Sequence, residues 1–272
     1  MKRLLVTVAL ALFAVPSFAA LQYEFTQKNS SDDAATPSTD LTARAIIDGD
    51  HTRVEFIGGT VYPPGTYVVT SDASRRLFFV DPSKQWYTEV NTAGIATSLG
   101  ASDIKIDNLK SDTTALPDRM TIAGVPADHY RTTISYDITV VMKSIPLKQH
   151  VSTEIDSWLT TKFAAVYGGY IPGANRTGNA DLDRILAAEV PKAGGFPMRQ
   201  IVTVRTHYDV AVRSKLNGPT SHTIVRETWV TNIKETPSEP SMFVVPATYR
   251  RADQPDVPKA TTQVLTFEPA TK

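Results

Sequence analysis

Strict two-residue alternation governs this chain. From Tyr130 the even positions read Tyr130, Thr132, Ile134, Tyr136, Ile138, Val140 and Met142, while the odd positions between them read Arg131, Thr133, Ser135, Asp137, Thr139, Val141 and Lys143. Successive side chains on a strand point to opposite faces, so this pattern predicts one long strand with an apolar and a polar side. Phe196, Met198, Val202, Val204, Tyr208, Val210 and Val212 repeat the logic, against Arg199, Thr203, Arg205, His207, Asp209 and Arg213 on the other parity. Both runs exceed the usual strand length of about 5 to 6 residues. Long strands with one wet face predict a wide, curved antiparallel sheet.

Shorter strands precede them at Leu21–Lys28, Thr42–Ile47, Arg53–Ile57, Tyr67–Thr70, Leu77–Val80 and Gln85–Val90. Turn formers separate these runs: Asp48-Gly49-Asp50, Gly58-Gly59, Pro63-Pro64-Gly65 and Asp81-Pro82-Ser83-Lys84. Ile104–Leu109 and Met120–Ala123 read as two further strands. Lys148–Leu159 alternates as a strand, although Ile155, Trp158, Leu159, Phe163 and Val166 also fit a helical face, which leaves its end near Trp158 open. A hairpin turns at Asn217-Gly218-Pro219, after a strand running to about Leu216, and returns along His222–Lys234.

One region, about residues 160–195, breaks the β rhythm. Gly168-Gly169 through Gly178 is turn-rich, and Asn179 or Asp181 can cap a helix over Leu182–Val190. Leu182, Ile185, Leu186 and Val190 share a stripe, and Pro191 with Gly194-Gly195 ends it. The expected fold is therefore mainly β (α+β): a large curved antiparallel sheet whose apolar side carries a helical lid.

The N-terminus reads as an export signal over residues 1–19. Lys2 and Arg3 precede an apolar run from Leu4 to Val15 broken only by Thr7, and Ser17-Phe18-Ala19 supplies a cleavage pattern before Ala20. The run is short of the roughly 20 residues that a membrane span needs. Residues 20–250 then form one domain, followed by a Pro-rich tail over 251–272 in which Thr262–Phe267 can add an edge strand. The chain has no cysteine, which excludes a lipid anchor on an N-terminal Cys and any disulfide, so stability rests on the core. The expected location is periplasmic. With 28 basic and 28 acidic residues, the chain lacks the positive surface that nucleic acid or anionic membrane would demand.

Several strings resemble a known family. Tyr67-Val68-Val69-Thr70-Ser71-Asp72 is followed by Arg76-Leu77-Phe78-Phe79-Val80-Asp81-Pro82-Ser83-Lys84-Gln85-Trp86-Tyr87. Ala123-Gly124-Val125-Pro126-Ala127-Asp128-His129-Tyr130, Gly195-Phe196-Pro197-Met198-Arg199 and Met242-Phe243-Val244-Val245-Pro246-Ala247-Thr248-Tyr249-Arg250 follow in order. Together they resemble an uncharacterised exported bacterial family related to the LolA-like periplasmic lipoprotein carriers, with the LolA/RseB-type fold. The resemblance spans roughly residues 21 to 250. It implies a half-open antiparallel barrel with helices over its concave side, a fold that holds or senses acyl chains and other lipids. It supplies no catalytic set.

Nor does the sequence supply one. His51, His129, His150, His207 and His222 show no local metal-site spacing, and no nucleophile elbow, phosphate loop or dinucleotide fingerprint is present. The reading is a non-enzymatic protein with no catalytic residues, metal or cofactor. His129 and His207 fall on the polar parity, where a solvated face explains them. Asp181, Asp183 and Glu189 read as charge favouring the N-terminus of a helix. Trp86, Trp158 and Trp229 read as structural, each with an N–H that needs a partner. The candidate ligand-lining set is Tyr130, Ile134, Tyr136, Ile138, Met142, Met198, Val202, Val204 and Tyr208. An ordinary packed core explains that stripe as well as a cavity does. Two partners follow from those alternatives: a hydrophobic small molecule or acyl chain, or an envelope protein that docks on a fully packed sheet.

Overall fold

The computed structural model describes residues 20–33, 38–71, 76–90, 101–142, 145–163, 180–189, 193–209 and 221–252. The export signal, the Asn217-Gly218-Pro219 turn, the Gly168–Gly178 stretch and the Thr262–Phe267 strand expected from sequence lie outside them.

The strands are β1 Ala20–Ser31, β2 Thr39–Asp48, β3 His51–Gly59, β4 Tyr67–Ser71, β5 Arg76–Asp81, β6 Trp86–Val90, β7 Ala101–Ile122, β8 Val125–Met142, β9 Ile145–Thr160, β10 Phe196–Tyr208, β11 Ser221–Thr236 and β12 Arg250–Arg251. Among the described residues one α-helix, α1, spans Ala180–Glu189. All the strands join one sheet in the order β12-β6-β5-β4-β3-β2-β1-β11-β10-β9-β8-β7. The ends of that order do not pair, so the sheet is an open half-barrel. Every neighbouring pair is antiparallel except β12 with β6, which is parallel over two residues.

Alternation builds the layers. Directly opposed residues share a face, and Ile233, Tyr23, Ala45, Val54, Val68 and Phe79 oppose one another in turn from β11 to β5. Farther along the same inner face runs a row of Arg226, Val202, Ile155, Thr132 and Thr113, from β11 to β7. The apolar members of these rows form two clusters. One joins Tyr23, Phe25, Phe56, Phe79, Phe196 and Met198, with Tyr23 edge-on to Phe196 at 5.0 Å between centroids. The other joins Ile104, Ile106, Ile134, Tyr136, Ile138 and Val202 beneath Ile185 of α1.

Tight turns hold the register. Ala123 and Gly124 link β7 to β8 with φ of 49° and 77°, the two left-handed residues that a two-residue hairpin matched to strand twist requires. Gly59 has φ 111°, and a Cβ there would lie 2.4 Å from the Asp40 carbonyl oxygen. Only glycine fits.

Two expectations from sequence change. The segments Ile104–Leu109 and Met120–Ala123, the latter except for its turn residue Ala123, belong to a single strand of 22 residues. Register shifts between Asp107 and Lys110 and between Ala115 and Arg119 interrupt its alternation, and such bulges disguise one strand as two. The open end of β9 near Trp158 resolves as strand, since β9 continues to Thr160.

Candidate functional site

The inner face beneath α1 gathers most of the stripe picked out by alternation. Ile134 (2 % exposed), Ile138 (2 %) and Val202 (3 %) are fully buried in its floor, with Tyr136 (9 %) beside them. Val204 is partly buried against the same cluster. Met198 is also fully buried but belongs to the neighbouring cluster under β1 to β3, because a register shift between Pro197 and Arg199 carries it past the others. Tyr130 and Tyr208 are half-buried at the margins. The backbone of Met142 ends β8; its side chain is outside the described residues.

Helix α1 covers this floor for sequence reasons. Leu182, Ile185 and Ala188 recur at three-residue spacing and pack on the floor, and Asp181 and Asp183 lie in its first turn, where carboxylates favour the helix dipole. Asp181 does more than that. Its Oδ2 accepts the Ile106 backbone N–H at 2.8 Å, while Arg184 Nη2 donates to the Ile106 carbonyl at 3.2 Å and to Asp181 Oδ1 at 2.5 Å. One acid and one base thus occupy both backbone groups of a residue on the free edge of β7, as a neighbouring strand would. The Ile106 bond, above all, holds the Asp181 carboxyl below its ordinary range.

Glu189 is not at the helix N-terminus, contrary to its sequence reading; it is the last residue of α1. It is half-buried, and burial pushes its carboxyl up, while the charge of Arg226 draws it partly back. Burial also pushes the Tyr136 hydroxyl far above its ordinary value, with the Glu189 charge adding to the effect.

On the outer face the solvated reading of His129 is overturned: the residue is 7 % exposed. Its Nδ1 lies 2.8 and 2.9 Å from the two Asp118 oxygens and its Nε2 3.1 Å from Asp156 Oδ1. Asp156 in turn takes a forked pair of bonds from Arg131 at 2.8 and 3.1 Å. The ring stacks on Trp158 at 4.1 Å, and the Arg199 guanidinium lies 5.0 Å from that indole while bonding Glu227 at 2.6 Å. The β7 bulge places Asp118 beside His129, and the His129 hydrogen bond, first among its causes, lowers the Asp118 carboxyl. The buried Trp158 indole N–H adds weakly to that pull without reaching bonding geometry, so it lacks the hydrogen-bond partner expected for it. Its two ring nitrogens face carboxylates from both neighbouring strands, so His129 ties β8 to β7 and β9 on the outer face. It is a structural knot. His207 stays exposed, as alternation predicts.

Two open clefts flank these features. One, of about 480 Å³, lies at the far ends of β7 to β10 and is lined by Asp107, Asn108, Asp137, His150, His207 and Tyr208 among others. His150 Nδ1 bonds Asp137 at 2.7 Å, and Asn108 donates to the same carboxylate at 2.6 Å; these bonds, the Asn108 one first, hold Asp137 low. The other, of about 360 Å³, lies between Phe78, Tyr87, Val244 and Tyr249. Neither is an enclosed apolar chamber. No set of three or more His, Asp or Glu among the described residues can hold a metal ion, and no helix among them is long and apolar enough to cross a membrane.

No family model matches the chain, and no curated protein does. Among solved structures it is similar to a LolA superfamily protein from Nitrosomonas europaea, at 8 % identity and a TM-score of 0.32 over 84 % of this chain and 90 % of that one. It is similar to an uncharacterized conserved protein from Thermus thermophilus at 8 % identity and a TM-score of 0.33, over 85 % and 90 % of the two chains. Likeness at this level does not bear on what the chain binds.

Proposed function

We propose that the protein is a non-enzymatic, exported periplasmic binding protein that holds a hydrophobic ligand, a lipid or acyl chain, on the inner face of its half-barrel. The observation that carries this reading is the lid. A helix of ten residues touches the apolar floor through Leu182, Ile185 and Ala188, and its polar clasp is confined to one edge residue. Such a small cover can yield to a chain that slides beneath it. Each methylene buried there contributes about 0.8 kcal/mol, so affinity needs no charged contact. Ile134, Tyr136, Ile138, Val202 and Val204 are the ligand-facing side chains in this reading, with Met198 continuing the surface toward β1.

A second reading has its own support. The floor side chains are buried by one another and by α1, and the two clefts described above are open, the larger reaching the floor only at Ile138. This is what a fully packed protein-interaction or envelope-sensing module would show. Organic extraction and mass spectrometry of protein purified from its own host separate the two. A co-purifying apolar molecule that is lost from an Ile138→Asp variant supports the carrier; repeated absence, with a protein partner recovered by cross-linking, supports the module.

A further inference from the structure

We infer that the inner face carries a head-group site for an anionic amphiphile, with Arg226 as its anchor and Glu189 of α1 as the charge that faces it when no ligand is bound. This rests on the carrier reading above and adds the chemical class of the ligand. Register places the arginine. Arg226 opposes Val202, which opposes Ile155, which opposes Thr132, so all four point to the inner face. In that row of β7 to β11 the others are Thr113, Thr132, Ile155 and Val202, and Arg226 alone is charged. The flanking row of Ile224, Val204, Thr153 and Ile134 is uncharged. So is the row of Thr228, Gln200, Ser157 and Tyr130 on the other side. Two positions beyond Ile224 on β11, His222 Nδ1 lies 3.1 Å from Asp32 Oδ1.

A guanidinium on an apolar face is costly unless something answers its charge. Among the described residues Arg226 has no hydrogen bond or ion pair, and its charge reaches Glu189 only through space. Glu189 arrives from the lid, whose other inward residues are apolar. This stretch of the inner face thus sets Arg226 beside a floor of Val202, Ile155 and Ile134, with the carboxylate of Glu189 on the helix above it. Three strand spacings separate β11 from β8, about 14 Å, which accommodates a medium-length acyl chain lying across the strands with its head at Arg226. A carboxylate and a phosphate monoester share the required chemistry, and guanidinium accepts both in forked geometry. When the head takes Arg226, its charge no longer draws on the Glu189 carboxyl.

The test is displacement of the apolar dye N-phenylnaphthylamine from the full mature chain by dodecanoate, dodecyl phosphate and dodecanol, each below its micellar concentration at neutral pH. The expected result is an anion preferred to the alcohol by at least about tenfold, equivalent to ~1.4 kcal/mol; which anion is tighter identifies the carboxylate or phosphate source. Arg226→Gln should remove the preference and leave dodecanol binding unchanged, Arg226→Lys should keep most of it, and Glu189→Gln should tighten both anions several-fold. Equal binding of acid and alcohol, or equal loss of both in Arg226→Gln, overturns the head-group site and leaves the carrier reading standing. If neither the dye nor any of the amphiphiles binds, both fall together.

Discussion

The clasp between α1 and β7 makes a quantitative prediction. Asp181→Ala removes the acceptor 2.8 Å from the Ile106 amide, and Ile106 is only 4 % exposed. A buried donor left without a partner costs about 1–3 kcal/mol, and the lost charge at the helix N-terminus adds about 0.3–1 kcal/mol. The Asp181 side chain is itself 26 % exposed, so water replaces part of the bond, and we expect about 1–2 kcal/mol from the lower half of that range. The loss is local to α1 and the β7 edge. Protection of the Ile106 amide in hydrogen exchange should therefore fall by roughly 5–30-fold, at 1.4 kcal/mol per factor of ten, with amides of the β8–β9 ladder unaltered. Asp181→Asn keeps an acceptor and should fall between. The sign with pH follows from a carboxyl held below its ordinary value of 3.8: the contribution is complete above that value and drains away as pH falls through the lowered one. Wild-type protection at Ile106 should drop in that acid window while Asp181→Asn stays flat. Unchanged Ile106 protection in Asp181→Ala would refute the clasp, and uniform loss across β7 to β9 would show that α1 supports the whole sheet instead.

Three further outcomes are expected. Gly59→Ala should cost about 3–5 kcal/mol in urea unfolding, combining left-handed strain of about 1–3 kcal/mol with a Cβ 2.4 Å from the Asp40 oxygen; a loss below about 1 kcal/mol would mean that the β2–β3 edge relaxes freely. Ile155→Ala should cost about 2–5 kcal/mol if the floor is a filled core. A much smaller loss, with increased uptake of an apolar dye, would instead indicate space beneath α1. Glu189 carries a carboxyl raised above its ordinary 4.5, so its ionisation opposes folding, and wild-type stability should decline as pH rises from 4.5 toward the raised value. Glu189→Gln should match wild type below 4.5 and exceed it at neutral pH; identical curves across that range would remove the argument that its charge is confined.

What alternation could reveal, it revealed. Side-chain parity is local, so the inner face of β8 and β10 was legible from Ile134, Tyr136, Ile138 and Val202 before any pairing was known. Parity does not report what lies opposite. His129 was correctly placed on the outer face and wrongly left in water, because Asp118 and Asp156 come from neighbouring strands and the β7 bulge alone brings Asp118 alongside. That bulge and a second one, with Asn108 in a left-handed conformation at φ 57°, broke the rhythm that would have marked β7 as one strand. Asp181 had a sufficient local explanation as a first-turn carboxylate. Its bond to Ile106 spans 75 residues of sequence and leaves no periodic trace. Arg226 was hidden differently, since most of β11 is of intermediate burial and the strand has no clean polar parity from which a lone inward cation would stand out.

The clasp also answers a problem that an open half-barrel creates for itself. A sheet that does not close exposes two edges, and an unguarded edge recruits further strands. At one end β6 is met by only two residues, Arg250 and Arg251, in parallel register, and Arg251 lies near the β6 carboxylate Glu89 at 3.8 Å. Charge and brevity blunt that edge. At the other end β7 runs for 22 residues, far too long to be protected by brevity. Its bulges and Pro117 disrupt the half near the hairpin, which leaves the regular stretch around Ile104 and Ile106 as the place where a foreign strand could pair. That is where Asp181 and Arg184 sit. The lid and the edge guard are one helix, so a ligand that lifts α1 off the floor must also bare the edge at Ile106. On the carrier reading proposed above, binding and strand pairing are coupled through a single element. A chain trapped with its lid open should then associate edge to edge, and Asp181→Ala with Arg184→Ala should shift it from monomer to dimer in sedimentation at high concentration. A double variant that stays monomeric while Ile106 loses protection would show that the bulges alone suffice.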